Sequence, residues 1–165
     1  MTGFVRGIAL VAASALVWMA GASQVQSQVR LPVLGVVAGG SITQQFGCTS
    51  LELEPFAGWC PTLHFHSGID LAAPEGTDVY SATSGRVLVG DDPAGAGKYV
   101  VVRVDRTVRI LYCHLATFRV RAGDQVTPGQ VIGTVGSTGL ATGPHVHFEI
   151  QVGGHPVDPA AWLAS

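Results

Sequence analysis

The sequence predicts an all-β fold, a mostly antiparallel β-sheet domain closed by a short C-terminal helix. Three observations predict it. Short β-branched segments recur at 79–82, 85–90, 98–104, 108–114, 129–135 and 145–152, separated by glycine, proline or aspartate. Segments 99–104 and 107–114 flank Asp105-Arg106 and read as a hairpin. Beyond the N-terminal segment, no window holds a sustained helical period.

The chain has 165 residues, the length of one domain. Charged residues make up only 12% and glycines number 22, a turn-rich, apolar composition unlike that of a disordered chain. The net charge is -2, and the basic residues are scattered along the sequence. That pattern excludes an obvious nucleic-acid-binding stretch.

Residues 1–22 read as an export signal. Arg6 precedes an uncharged run over 7–22, and Ala20-Gly21-Ala22 is a small-x-small cleavage site. A permanent span usually needs ~20 apolar residues, so the run is short for an anchor. Cleavage after Ala22 is expected. The alternative is an uncleaved anchor that attaches the protein to the membrane through 7–22. Either way the remainder lies outside the cytoplasm. Residues 23–40 read as a linker and 41–165 as the folded domain.

Cys48 and Cys60 bracket a loop without strong periodicity. In an exported protein they are expected to pair. Closing a 15-residue loop stabilises by roughly 3 kcal/mol in the chain-entropy model, and this loop is of similar length. Cys113 is left over. On a strand it is expected to point away from His114, as a buried inert thiol. At the other end, Asp158 is placed to cap a short helix with Pro159 at its first position and Trp162 packing back.

The chemistry concentrates in three segments: His66 and Asp70 in H-S-G-I-D, His114 in Y-C-H-L, and His145 and His147 in G-P-H-V-H-F-E. Two histidines and an aspartate form a zinc ligand set. Three protein ligands with an open fourth position are the pattern of catalytic zinc. Strand alternation puts His145, His147 and Glu149 on one face. One of the two histidines can hold a metal while the other stays free. On a straight strand His66 and Asp70 would stand ~13 Å apart, so their segment must bend, and Gly68 permits it.

The motifs H-S-G-I-D-L-A-A-P-E-G-T-D-V-Y-S-A, Y-C-H-L, V-T-P-G-Q-V-I-G-T-V-G-S-T-G and G-P-H-V-H-F-E, in that order, closely resemble the LytM/lysostaphin family of zinc metalloendopeptidases. The resemblance covers roughly 41–163. It implies a groove over an antiparallel sheet, with the duplicated hybrid motif of that family. It also implies hydrolysis of peptide bonds in bacterial peptidoglycan, in crosslinks or stem peptides. Position by position, it makes His66, Asp70 and His147 the ligands of one zinc per chain, and His114 and His145 the catalytic histidines. Two departures stand out. Cys113 replaces the usual small residue before the catalytic histidine. The stretch between Phe46 and His66 carries the cysteine pair, which bears on substrate choice.

Other residues have plainer readings. His64 lacks the H-x-x-x-D spacing and reads as a groove or surface residue. His155 lies in a G-G-H-P turn. Tyr112 reads as core, with groove lining the alternative. Glu149 either orients a ligand histidine or is an exposed strand carboxylate. A non-catalytic wall-binding or activator module on the same fold is the alternative function, though such relatives have typically lost metal ligands. The stretch A-G-D-Q-V-T-P-G-Q-V-I-G resembles half of a lipoyl or biotinyl carrier motif. Lys98, the only lysine, is nowhere near its tip, which removes the carrier reading.

Overall fold

A computed structural model describes residues 32–165. The export signal and half of the expected linker, 23–31, lie outside the described residues. Among the described residues, twelve strands and one α-helix follow in order. They are β1 (Ser41–Gln44), β2 (Gly47–Thr49), β3 (His64–His66), β4 (Ile69–Ala72), β5 (Asp78–Tyr80) and β6 (Gly85–Asp92). Then come β7 (Gly97–Arg103), β8 (Val108–Phe118), β9 (Gln125–Val126), β10 (Val131–Val135), β11 (His145–Val152), β12 (His155–Val157) and α1 (Pro159–Ala164).

The main sheet is antiparallel and runs β1-β4-β11-β8-β7-β6-β9. The β7–β8 hairpin is the one expected from the sequence. Its turn is closed by Asp105, whose carboxylate accepts from the backbone N–H groups of Thr107 and Val108. β2 and β3 form a separate two-stranded sheet. The Cys48–Cys60 disulfide holds the loop between them.

Strand alternation divides the residues of β8 and β11. Ile110 and Tyr112, with Phe148 and Ile150, turn inward and are fully buried with Ile69, Leu71 and Ile132. Each such side chain contributes ~1.5–3 kcal/mol of burial. Tyr112 is core: it is fully buried, its ring lies against Phe148, and its hydroxyl accepts from the Ala82 N–H at 2.9 Å. At the C-terminus Asp158 accepts from the N–H groups of Ala160 and Ala161, and Pro159 opens α1.

The N-terminal boundary differs from the expectation. The stretch read as linker contains a 3-10 turn, Val33–Gly35, and Val33, Val36 and Val37 are buried in the core. Val37 bridges Val79 of β5. Three valines give this stretch enough apolar surface to pack, and the signal-like composition before it masks that in the sequence.

Candidate metal centre

The H-S-G-I-D segment changes sheets at Ser67-Gly68. β3 pairs with β2, whereas β4 pairs with β1 and β11. This break supplies the bend that brings His66 back over Asp70. Gly68 serves it by close approach. A Cβ there would stand 2.5 Å from the Phe148 carbonyl oxygen and 2.9 Å from the His147 ring. In the main sheet Asp70 lies directly opposite His147, and Cys113 lies opposite it on the other side.

Three ligand atoms therefore meet. His66 Nε2 is 3.1 Å from Asp70 Oδ1 and 3.0 Å from His147 Nδ1, and His147 Nδ1 is 3.1 Å from Asp70 Oδ1. Ligands held tetrahedrally at ~2.0–2.1 Å from zinc would stand roughly 3.3 Å apart. The distal nitrogens are already committed. His66 Nδ1 donates to the Gln45 carbonyl at 2.8 Å. His147 Nε2 donates to Glu149 Oε2 at 3.4 Å. Glu149 is itself held by the Ser67 hydroxyl at 2.5 Å and by the Gln151 amide. Glu149 thus orients a histidine of the cluster and is nine-tenths buried, at 8% exposure.

The electrostatics mark the cluster as a cation site. Burial pushes the Asp70 carboxyl up, but the imidazoles of His147 and His66 outweigh it and hold the group ionised, well below the usual range. Burial pushes His147 down, yet Asp70 and Glu149 outweigh that and raise it to about 9. His147, so raised, carries a proton on Nδ1 that faces Asp70 Oδ1 at 3.1 Å. Remove it and three lone pairs converge on one point. That donor set fits a divalent metal such as zinc.

His114 and His145 stand beside the cluster, with ring centroids 4.7 Å apart. His114 Nδ1 donates to the Thr138 carbonyl and His145 Nδ1 to the Gly143 carbonyl, both at 2.8 Å. Both Nε2 atoms are left free of these bonds, and that of His145 lies 3.9 Å from Asp70 Oδ2. Burial holds His114 below the usual histidine value despite its carbonyl partner.

His114 has φ +63°, in the left-handed region. This breaks the alternation of β8, and the expectation for Cys113 is corrected accordingly. Cys113 does not point away from His114; both line the same cavity of about 320 Å³. Cys113 remains a buried thiol, pushed up to about 12 by burial and by Glu149 and Asp70. Leu51 and Leu53 of the disulfide loop and Leu140 form further walls. His64 is outside the ligand cluster and bonds to the carbonyl of Glu54, whose carboxylate stands 4.0 Å from His66 Nε2, and His155 is exposed at the start of β12. The sequence reading missed Ser67 and the carbonyls of Gln45, Thr138 and Gly143. Backbone acceptors carry no residue signal.

A family model described as peptidase family M23 matches residues 64–159. The DD-carboxypeptidase/endopeptidase Mpg of Neisseria meningitidis is 43% identical over 104 residues, covering 61% of this chain and 24% of that protein. The peptidoglycan DD-endopeptidase ShyA of Vibrio cholerae is 43% identical over 93 residues, covering 56% and 22%. The chain thus spans about a quarter of the length of these curated relatives. Among solved structures, the catalytic domain of lysostaphin from Staphylococcus simulans aligns with TM-score 0.63 and 30% identity, covering 77% of this chain and 94% of that one. A zinc-containing peptidase from Vibrio cholerae aligns with TM-score 0.64 and 35% identity, covering 76% and 37%.

Proposed function

The chain belongs to peptidase family M23, and from that premise we propose that it is a zinc metalloendopeptidase that hydrolyses peptide bonds of peptidoglycan crosslinks or stem peptides outside the cytoplasm. The observation that carries this reading is the convergence of His66 Nε2, Asp70 Oδ1 and His147 Nδ1 at 3.0–3.1 Å, with two free imidazole nitrogens beside them. His66, Asp70 and His147 would hold one metal ion. When bound, zinc supplies a Lewis acid for the scissile carbonyl and lowers the pKa of a water toward ~7.

The chain's own residues supply the proton transfers. His114 is kept neutral by burial, so its free Nε2 accepts a proton from the attacking water. The Thr138 carbonyl fixes which ring nitrogen carries the hydrogen. His145, its ring beside that of His114 and its Nδ1 held by the Gly143 carbonyl, would as an imidazolium donate from Nε2 toward the developing oxyanion or the leaving amine. Glu149 keeps the His147 ring in register. The apolar walls Leu51, Leu53 and Leu140 suit small residues at the cut.

Extracytoplasmic action follows from the substrate of relatives named peptidoglycan DD-endopeptidases, and from residues 1–22 read as an export segment. No helix among the described residues is long and apolar enough to cross a membrane. The test digests purified peptidoglycan with zinc-loaded protein and identifies the released termini by mass spectrometry. New peptide termini, suppressed by chelator and restored by zinc, are expected. Intact crosslinks and stem peptides across neutral pH, with stimulation of a second hydrolase, would move the assignment to an activator module.

A further inference from the structure

The arginines that are scattered in sequence form one line in the fold. Arg86 lies opposite Arg103, and Arg103 lies opposite Arg109, in direct cross-strand register over β6, β7 and β8. Glutamines end the row: Gln125 opposite Arg86, and Gln151 opposite Arg109. The three arginines and Gln125 are exposed. Neighbouring strands stand ~4.8 Å apart, so like charges in such register repel. Among the described residues, no carboxylate lies within ion-pair distance of Arg86, Arg103 or Arg109. The one side-chain bond in the row is from Arg109 Nε to Gln151 Oε1, at 2.6 Å. Asp105 lies nearby, but its carboxylate closes its own turn. The row borders a surface cavity of about 840 Å³.

The row lies on the same sheet face as the metal cluster. Cys113 pairs with His147, Leu111 with Glu149, and Arg109 with Gln151, without a register shift between them. Alternation therefore turns all six side chains to one face. Between cluster and arginines runs an apolar row of Leu88, Val101 and Leu111, again in cross-strand register. From His147 to Gln151 the strand advances ~13 Å, the reach of about four residues of extended peptide.

We propose that the row Arg86–Arg103–Arg109 is a substrate-binding strip that takes a carboxylate of the peptidoglycan stem peptide about four residues from the scissile bond, the intervening apolar row taking methyl-bearing residues. This rests on the endopeptidase reading. The guanidinium forks match a carboxylate in two-point hydrogen bonding, and an anion between them removes the repulsion the row otherwise carries. Continuity with the metal cluster on one face favours an extended peptide over a separate partner.

The test titrates the zinc-loaded whole chain with a linear, uncrosslinked stem tetrapeptide bearing free carboxylates. A second titration uses the same peptide with its carboxylates converted to carboxamides. The free form should bind at least about tenfold tighter, as charge-assisted hydrogen bonds to arginine require. Arg103→Gln should abolish that preference while its thermal midpoint stays at or above the parent's, because a like-charged neighbour has gone. Arg86→Gln provides an independent second variant. Equal binding of the two peptides by the parent, or an unchanged preference in both variants, overturns the proposal. Binding of phosphatidylglycerol vesicles through Arg103, without peptide binding, also overturns it and makes the row a membrane contact. The readout needs no turnover. Carboxylate preference without cleavage of crosslinked peptidoglycan would defeat the endopeptidase reading and leave the strip standing.

Discussion

Gly68 and His147 pack so closely that a single methyl group at Gly68 would reach within 2.9 Å of the His147 ring. The same methyl would stand 2.5 Å from the Phe148 carbonyl oxygen, which is backbone and cannot yield. Gly68→Ala should therefore push His147 out of the cluster. Overpacking of this kind costs ~1–3 kcal/mol. Zinc affinity should fall as well, measured by competition with a chromophoric chelator. Parent-like affinity would show that His147 is not held by this contact.

Zinc uptake should be coupled to proton release. His147 carries a proton below about 9 in the metal-free protein, held there by Asp70 and Glu149 against burial. A metal must displace that proton. Calorimetry in buffers of different ionisation enthalpy should find about one proton released per zinc near pH 7. No release would mean the proton is not in the cluster.

The same shift sets a stability profile. The folded value of His147 is raised above its ordinary 6.5 to about 9. Its contribution to the metal-free protein is complete below the ordinary value and disappears as pH rises through the folded one. The thermal midpoint of the metal-free protein should fall between these limits, and the added stabilisation by zinc should grow over the same range. A flat difference between metal-free and zinc-loaded midpoints would contradict the assignment.

His114→Ala should keep the metal and lose turnover by ~10²–10⁴-fold, because it removes a proton acceptor. Because burial holds His114 below the usual histidine value, wild-type activity should persist somewhat below pH 6.5 before falling. His145→Ala should also retain metal. Elemental analysis beside a cleavage assay separates the outcomes. If either variant lost zinc as His147→Ala does, the roles within H-V-H would be exchanged.

Cys113 should resist alkylation in the folded state at neutral pH, since burial and two carboxylates push its thiol up to about 12. Peptide mapping without reduction should return the Cys48–Cys60 crosslink alone. Rapid labelling of Cys113 in native protein would show that the cavity opens beside His114.

Much of this protein is legible in its sequence because the relevant signals are local. Alternation in H-V-H-F-E-I-Q-V places His145, His147 and Glu149 on one face, and strand pairing preserves that face. The hairpin at Asp105-Arg106 and the cap at Asp158 depend on side chains bonding to backbone a few residues away. H-x-x-x-D, read as a pair of ligands to one metal, requires a bend because such a pair cannot stand a strand's length apart. The tertiary structure decided what depends on distant segments. Val33, Val36 and Val37 join the core only because β5 lies beside them. Cys113 shares a cavity with His114 because a left-handed residue interrupts β8, and periodicity cannot register a single dihedral. Gly68 is needed for the approach of β11 more than for its turn. Arg86, Arg103 and Arg109 become a row only when three strands fall into register, since cross-strand neighbours are set by pairing and are far apart along the chain.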